Sequence, residues 1–149
     1  MGFLSSFDIS ASGMSAQRVR LDVAAENIAN IQTTRTEGGG SYKRKLVSLE
    51  SYENESFQNV LSKTANGMRM TPRRAGVRVA EITEDDREAE KVYNPEHPDA
   101  DEDGYVTFTN VDLLKETVDS MSALRSYEAN VTAFNVVKLM AQKALEIGK

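Results

Sequence analysis

Residues 110–147 read NVDLLKETVDSMSALRSYEANVTAFNVVKLMAQKALEI, and this stretch decides the fold. Apolar residues step through it by threes and fours: Leu114, Val118, Met121, Leu124, Tyr127, Val131, Phe134, Val137, Met140, Ala144 and Ile147. Such spacing follows the period of an amphipathic helix with one apolar stripe. Asn110 is a good N-cap, Asp112 places an anion in the first turn, and Gly148 supplies a stop. The helix would run roughly 55 Å, too long for so small a domain to cover with its own side chains. Its stripe drifts around the axis, so more than one neighbour is expected to bury it. Phe134, between Val131 and Val137, is expected to become buried only on assembly.

The other end of the chain answers with a second helix over residues 3–34. Phe7, Met14, Leu21 and Ile28 recur at seven-residue intervals, with Leu4, Ala11 and Ala25 on a flanking seam. This is an a/d-type heptad pattern, in which a narrow stripe faces a partner helix. Arg18 interrupts the second seam, and Gly13 weakens the helix by about 1 kcal/mol relative to alanine.

Between the helices the period changes. Pro72, Pro95 and Pro98 all lie in the middle zone, and Gly38-Gly39-Gly40 closes the first. In residues 76–83 the alternation of Val77 and Val79 predicts a strand. Residues 42–49 and 105–109 are further strand candidates, and residues 52–63 read as loop or short strand. The predicted fold is therefore mainly α: two long terminal helices packing as a coiled-coil-like domain, with a small irregular β-rich insert. The divisions fall at 1–35, 36–108 and 109–149.

Composition points to a chain that completes its core against partners. Only 40% of the residues are apolar, and the mean hydropathy is −0.47. The chain has no cysteine, which excludes disulfides, a thiolate nucleophile and a cysteine zinc site. No apolar run approaches the roughly 18 residues that span a bilayer. The opening Met-Gly-Phe-Leu-Ser-Ser lacks the basic and apolar regions of a cleaved secretory signal, and matches only a loose myristoylation pattern. The net charge of −5 hides an asymmetry. Lys63, Arg69, Arg73, Arg74 and Arg78 form a basic stretch without an acid, and residues 81–103 then carry eleven Asp and Glu against Arg87 and Lys91. This adjacency suits subunit-to-subunit contact and makes a poor phosphate clamp.

The most tempting chemistry is the acidic frame 99–110. Asp99, Asp101 and Asp103 occupy the first, third and fifth positions of an EF-hand-like loop, with Gly104 sixth and Val106 eighth. Against calcium, Asn110 stands where the closing bidentate Glu belongs, and Pro95 and Pro98 sit where the entering helix should run. The plainer reading is an acidic turn in which Gly104 takes a positive φ. His97 is the sole histidine and has no companion for catalysis or metal binding, so it is expected to pack within a rigid turn. No nucleophile elbow and no phosphate loop is present, so the chain is read as a non-enzyme without a cofactor. Asn27, Asn30 and Asn130 fall inside helices, where asparagine is a mediocre former. Solvent exposure and hydrogen bonding across a helix interface are equally open readings of them.

These polar residues also carry a resemblance. Ser12-Gly-Met-Ser-Ala-Gln-Arg, Ala25-Glu-Asn-Ile-Ala-Asn30 and Thr33-Thr34 together resemble the N-terminal signature of flagellar rod and hook proteins. Ser126-Tyr-Glu-Ala-Asn130 resembles their closing helix, and residues 93–106 with Asn110-Val-Asp112 resemble a short basal-body rod subunit. The resemblance implies terminal helices packed as an inner coiled-coil domain lining an export channel, in the drive shaft that crosses the bacterial periplasm. It implies export through the flagellar type III apparatus without a cleaved signal. The implied partners are copies of the chain, the rod proteins FlgB and FlgF, the rod-base adaptor FliE and the export apparatus, with no nucleic acid and no small-molecule substrate. One departure is visible: Thr109 stands where relatives usually have proline.

The expected function is thus a structural rod subunit. Its expected assembly interface is Phe7, Met14, Leu21, Asn27, Ile28 and Asn30 on the first helix. On the second it is Leu114, Val118, Met121, Leu124, Tyr127, Asn130, Val131, Phe134 and Val137. The alternatives are a calcium-binding helical regulatory module using residues 99–110, and a coiled-coil adaptor forming a closed dimer.

Overall fold

The computed structural model describes residues 3–53 and 74–147. Most of the 52–63 segment lies outside these residues, as do Lys63, Arg69 and Arg73 of the basic stretch. The N-terminal helix, α1, spans Phe3–Ala29 and stops short of residue 34. Asn30 Nδ2 donates back to the Glu26 carbonyl at 2.9 Å, and Thr33 Oγ1 donates to Asn30 Oδ1 at 3.1 Å. The backbone tightens at the same place, Ile31 N bonding the Ile28 carbonyl at 3.3 Å and Thr33 N the Asn30 carbonyl at 3.0 Å, the three-residue step that ends many helices.

Two strands follow, β1 (Lys45–Glu53) and β2 (Arg74–Glu84). They form an antiparallel ribbon with Lys45 opposite Glu84 and Tyr52 opposite Gly76, and the register shifts after Ser48. The next pair, β3 (Lys91–Tyr93) and β4 (Tyr105–Thr107), is a separate short hairpin. The predicted strands at 42–49, 76–83 and 105–109 match β1, β2 and β4. β3 was not foreseen, because three exposed residues carry no alternation to read. The chain closes with α2, Leu113–Ile147.

The helices run antiparallel against each other. Near one end the Phe7 and Phe134 rings meet edge-to-face, centroids 4.8 Å apart. Midway, Gly13 faces Asn130 so closely that an added Cβ would lie 2.9 Å from its amide. At the other end Asn27 reaches Glu116. Along α1, Gly13 and Asn27 meet α2, and buried Ser10 and Ala24 each lie three residues before one of them. Beyond the Phe7–Phe134 contact, the α1 side of the seam is small and polar at Gly13 and Asn27 rather than the apolar heptad expected. Met14, Leu21 and Ile28 sit half-buried on its flank.

An adjacent side of α1, about 100° round from Gly13, carries the ribbon. Ala16 and Val23 are buried there, and Ser12 Oγ accepts from the Val77 amide at 3.2 Å. Gly76 allows this approach. It holds φ +149°, and a Cβ would fall 2.2 Å from Ser12 Oγ.

The stripe on α2 divides between two faces. Glu116 and Ala123 are buried, while Tyr127, Asn130, Val131, Phe134 and Val137 are half-buried toward α1. Leu114, Val118, Met121 and Leu124 are 77%, 64%, 56% and 47% exposed. At about 100° per residue, Leu114, Val118 and Met121 fall opposite the row through Glu116, Ala123 and Phe134. The expectation that Phe134 waits for assembly is corrected, since Phe7 of the same chain already covers one edge of it.

Candidate functional site: a buried polar clasp and an exposed helix face

The helix pair and the ribbon are tied together where α1 ends and α2 begins. Asn27, on the last turns of α1, is 1% exposed. Its Nδ2 donates to Glu116 Oε2 at 3.0 Å and to the Lys45 carbonyl at 2.9 Å. Its Oδ1 accepts from the Lys45 amide at 2.9 Å and from the Tyr42 hydroxyl at 3.0 Å. One side chain thus fastens α2, the start of β1 and the preceding loop to α1. Asparagine fits because its amide presents donor and acceptor side by side.

Arg44 carries the charge of this clasp. Its Nε donates to Glu116 Oε1 at 2.6 Å and one terminal nitrogen donates to Asp119 Oδ2 at 3.2 Å, while Asp85 lies 3.7 Å from the other. Arg44, Glu116 and Asp85 are all buried. No buried side-chain polar atom among the described residues lacks a partner. Burial costs each ion several kcal/mol, which the network offsets only because every group is bonded.

The surroundings shift two groups. Hydrogen bonds from Arg87, opposed by burial and helped by the charges of Arg87 and Arg44, bring Asp85 down from 3.8 to about 2. Burial, then the nearby Glu26, Glu116 and Glu84, pushes the Tyr42 phenol up to about 12.

Residues 109–112 complete the clasp in a way the sequence did not reveal. Asn110 does not cap α2. Its Oδ1 accepts from the Arg44 amide at 2.8 Å, and its Nδ2 donates to the Asp85 and Arg87 carbonyls at 2.8 and 3.2 Å. Asp112 is the cap instead, its Oδ1 accepting from the Leu114 and Lys115 amides at 2.9 and 3.3 Å. Thr109 supplies what proline would not, donating its hydroxyl to the Ile31 carbonyl at 2.9 Å.

The acidic frame 99–110 is not a helix–loop–helix. It runs through the second half of the β3–β4 connection and along β4, with Gly104 at φ +79° as the plainer reading required. Asp99 accepts from Thr34 Oγ1 at 2.8 Å and lies 4.0 Å from Arg35. Asn110, the last position of the frame, points into the clasp. Among the described residues no three acidic or imidazole groups converge on a metal position. His97 accepts from the Asp99 amide through Nδ1 and packs on Phe108 at 6.4 Å, as expected of a residue in a rigid turn.

Of the sequence-predicted residues, the fold brings Phe7 to Phe134 and Asn27 into the clasp. Asn130, half-buried beside Gly13, donates to the Ser126 carbonyl of its own helix at 2.9 Å. Asn30 closes α1. Leu114, Val118, Met121 and Leu124 lie outside the helix seam. With Val136, Leu139 and Met140 they leave two exposed apolar patches on the outer side of α2, one over 114–124 and one over 136–140, separated by exposed Arg125, Glu128 and Thr132. Tyr42, Arg44, Asp85 and Glu116 were missed, because nothing local distinguishes them from surface polar residues, and Asn110 was read as a cap when it bonds the clasp.

The family model described as flagella basal body rod protein matches residues 7–35, and that described as flagellar basal body rod FlgEFG protein C-terminal matches residues 102–147. The chain belongs to the flagellar basal-body rod protein family, a structural family of the bacterial motility organelle and not an enzyme class.

Along nearly its whole length it is similar to proteins named flagellar basal-body rod protein FlgC. It is 50% identical over 148 residues to that of Bacillus subtilis, covering 97% of each chain. It is 40% identical to that of Borreliella burgdorferi, covering 99% of this chain and 98% of the relative. It is 39% identical to that of Escherichia coli O157:H7, covering 100% of both. The matched segments 7–35 and 102–147 hold Asn27 and Glu116, the two helix residues that meet in the clasp.

Proposed function

We propose that this chain polymerises through its terminal helices to build the proximal part of the flagellar rod, a drive shaft around the export channel. In this reading segments 1–35 and 109–149 form a coiled-coil-like inner domain, and residues 36–108 are an insert set against it. The observation that carries the reading is the exposed apolar side of α2. Leu114, Val118, Met121, Val136 and Leu139 face away from α1 and are about half exposed or more among the described residues, a pattern that marks a contact surface. A relative named as a basal-body rod protein over nearly the same length supports the location.

The partners proposed are copies of the chain, the rod proteins FlgB and FlgF, the adaptor FliE and the type III export apparatus. The rod spans the periplasm, and the subunit reaches it without a cleaved signal. The hairpin geometry of residues 99–110 favours this over the calcium module.

The test separates folding from assembly. Val118→Asp together with Met121→Asp should leave the melting of the purified chain unchanged, because both side chains are already in water. The same change should abolish incorporation into rods, and with it motility. Normal rods from the double variant would remove α2 from the assembly surface.

A further inference from the structure

We infer that the projecting end of α2 docks against the clasp end of a second copy of this chain, Leu145 of one seating on Leu114 and Val118 of the next. The contact rests on the reading of the chain as a self-assembling rod subunit and assigns which of its surfaces meet. Three pairs set the register of the antiparallel helices: Phe7 with Phe134, Gly13 with Asn130, and Asn27 with Glu116. Each step forward on α1 is one step back on α2, so Phe3, the first described residue of α1, stands opposite about position 139. α2 runs on to Ile147. About two turns of it therefore pass the start of α1 with no described residue of that helix beside them.

The packing row of α2 does not stop where α1 does. At about 100° per residue, Ala141 and Leu145 fall on the row of Ala123, Asn130 and Phe134, which faces α1. Ala123 is buried, and Asn130 and Phe134 are half-buried, whereas Leu145 is 75% exposed. A large apolar side chain on this row, beyond the helix that covers the rest of it, leaves the interface half made. The row is already spaced for helix-against-helix packing, so a helical end arriving in line with α1 completes it.

The other end of the helix pair offers a matching surface. Leu113, Leu114 and Val118 are 48%, 77% and 64% exposed there. They cannot cover Leu145 of their own chain, because one continuous helix holds Val118 and Leu145 about 40 Å apart. Two of the nearby charges are engaged within the chain, Lys143 by Glu146 at 2.7 Å and Asp119 by Arg44 at 3.2 Å, which leaves apolar burial to drive the contact. Apolar ends held apart on one rigid helix pair head-to-tail between copies, a contact that repeats without closing. With a few side chains on each side it falls well short of the roughly 1,600 Å² of a standard interface. It therefore belongs to the assembled rod, where many copies hold one another, and not to a dimer in dilute solution.

The test places a photo-crosslinking residue at Leu145 of the full-length chain, in motile cells that also make a differently tagged copy, with a control probe at Val136. In purified basal bodies the expected Leu145 crosslink is to the second copy and maps within residues 113–121. Mapping to residues 141–147 of the second copy would mean a closed back-to-back pair and overturns the proposal. So does mapping to the same chain, to another protein, or nowhere. If Val136 still crosslinks to rod subunits in that case, only this contact has failed; if neither probe does, the rod-assembly reading has failed with it. Because the chain has no cysteine, a second readout is clean. The double variant Leu145→Cys with Val118→Cys, treated in rods with a bismaleimide much shorter than their separation, should give a ladder of linked copies, and each single variant none. No ladder, or a dimer from Leu145→Cys alone, overturns the proposal. Leu145→Lys should leave the melting of the purified chain unchanged and abolish incorporation into rods, whereas Leu145→Met should be tolerated. Normal rods from Leu145→Lys would remove this end of α2 from the assembly surface.

Discussion

Arg44 and Glu116 show how little a single residue's chemistry means before its surroundings are known. Each is a common surface type, yet both are buried at the centre of the clasp. Leaving Glu116 without its cation, as in Arg44→Met, should cost about 3–5 kcal/mol by urea denaturation. Adding Glu116→Leu should recover most of that loss, because Asn27 Nδ2 keeps the Lys45 carbonyl as an acceptor. A double variant no more stable than Arg44→Met would show that the clasp is held by something other than this ion pair. The clasp also gives stability a pH signature. Because Asp85 is lowered to about 2 in the fold, its contribution is present above its unfolded value near 4 and is lost as pH falls toward 2. Tyr42, raised to about 12, works in the other direction: its contribution is complete below about 10 and fades as pH rises beyond. Denaturation at stepped pH should find the acid limb flattened in Asp85→Asn and the alkaline limb flattened in Tyr42→Phe.

At the scale of elements, the two helix boundaries are made differently: α1 ends in tightened three-residue turns at Ile31 and Thr33, and the Asp112 side chain starts α2. Asp112→Ala should therefore lower stability by about 1 kcal/mol, the usual cost of an N-cap. Asn110→Ala should cost more, since it removes three bonds that join the first loop to the approach to α2. Equal losses from the two, measured by urea denaturation, would return Asn110 to the capping role expected from sequence. The seam between the helices follows the same logic. Gly13 and small neighbours let the backbones come close, so a larger side chain such as Gly13→Leu should separate α1 from α2 and lower the melting temperature, despite leucine's better helix propensity.

For the molecule as a whole, α2 has two apolar sides with different duties. One packs on α1 through Phe134 and Phe7, and the other, through Val118 and Met121, faces solvent. Phe134→Asp should thus destabilise the isolated chain by several kcal/mol, as expected for a charge placed against an apolar neighbour. Val118→Asp should be nearly silent in the monomer and act only in assembly. Hydrogen exchange on the isolated chain should show protection along the α1–α2 seam that Phe134→Asp removes and Val118→Asp leaves intact. Equal effects of the two substitutions would mean that the faces are not divided in this way.

Long-range order was the part the residues alone could not supply. Periodicity determined two terminal helices, because the apolar steps at 114–147 and 7–28 repeat locally and need no partner to be seen. The strands at 77–79 and 105–107 and the positive φ of Gly104 were legible for the same reason: alternation and turn chemistry act within a few residues. The rod-family identity was legible in Asn27, Asn30 and residues 93–106, which form linear motifs. Tertiary structure alone decided which side of each helix faces inward. Apart from Phe7, which meets Phe134, the α1 seam is small and polar at Gly13 and Asn27, so an apolarity pattern pointed away from it, to Met14, Leu21 and Ile28. The clasp was equally hidden, for Asn27 meets Glu116 across 89 positions of sequence and Arg44 meets it across 72. A contact at that separation leaves no periodic trace, because its energy depends on burial that neither partner's neighbours encode.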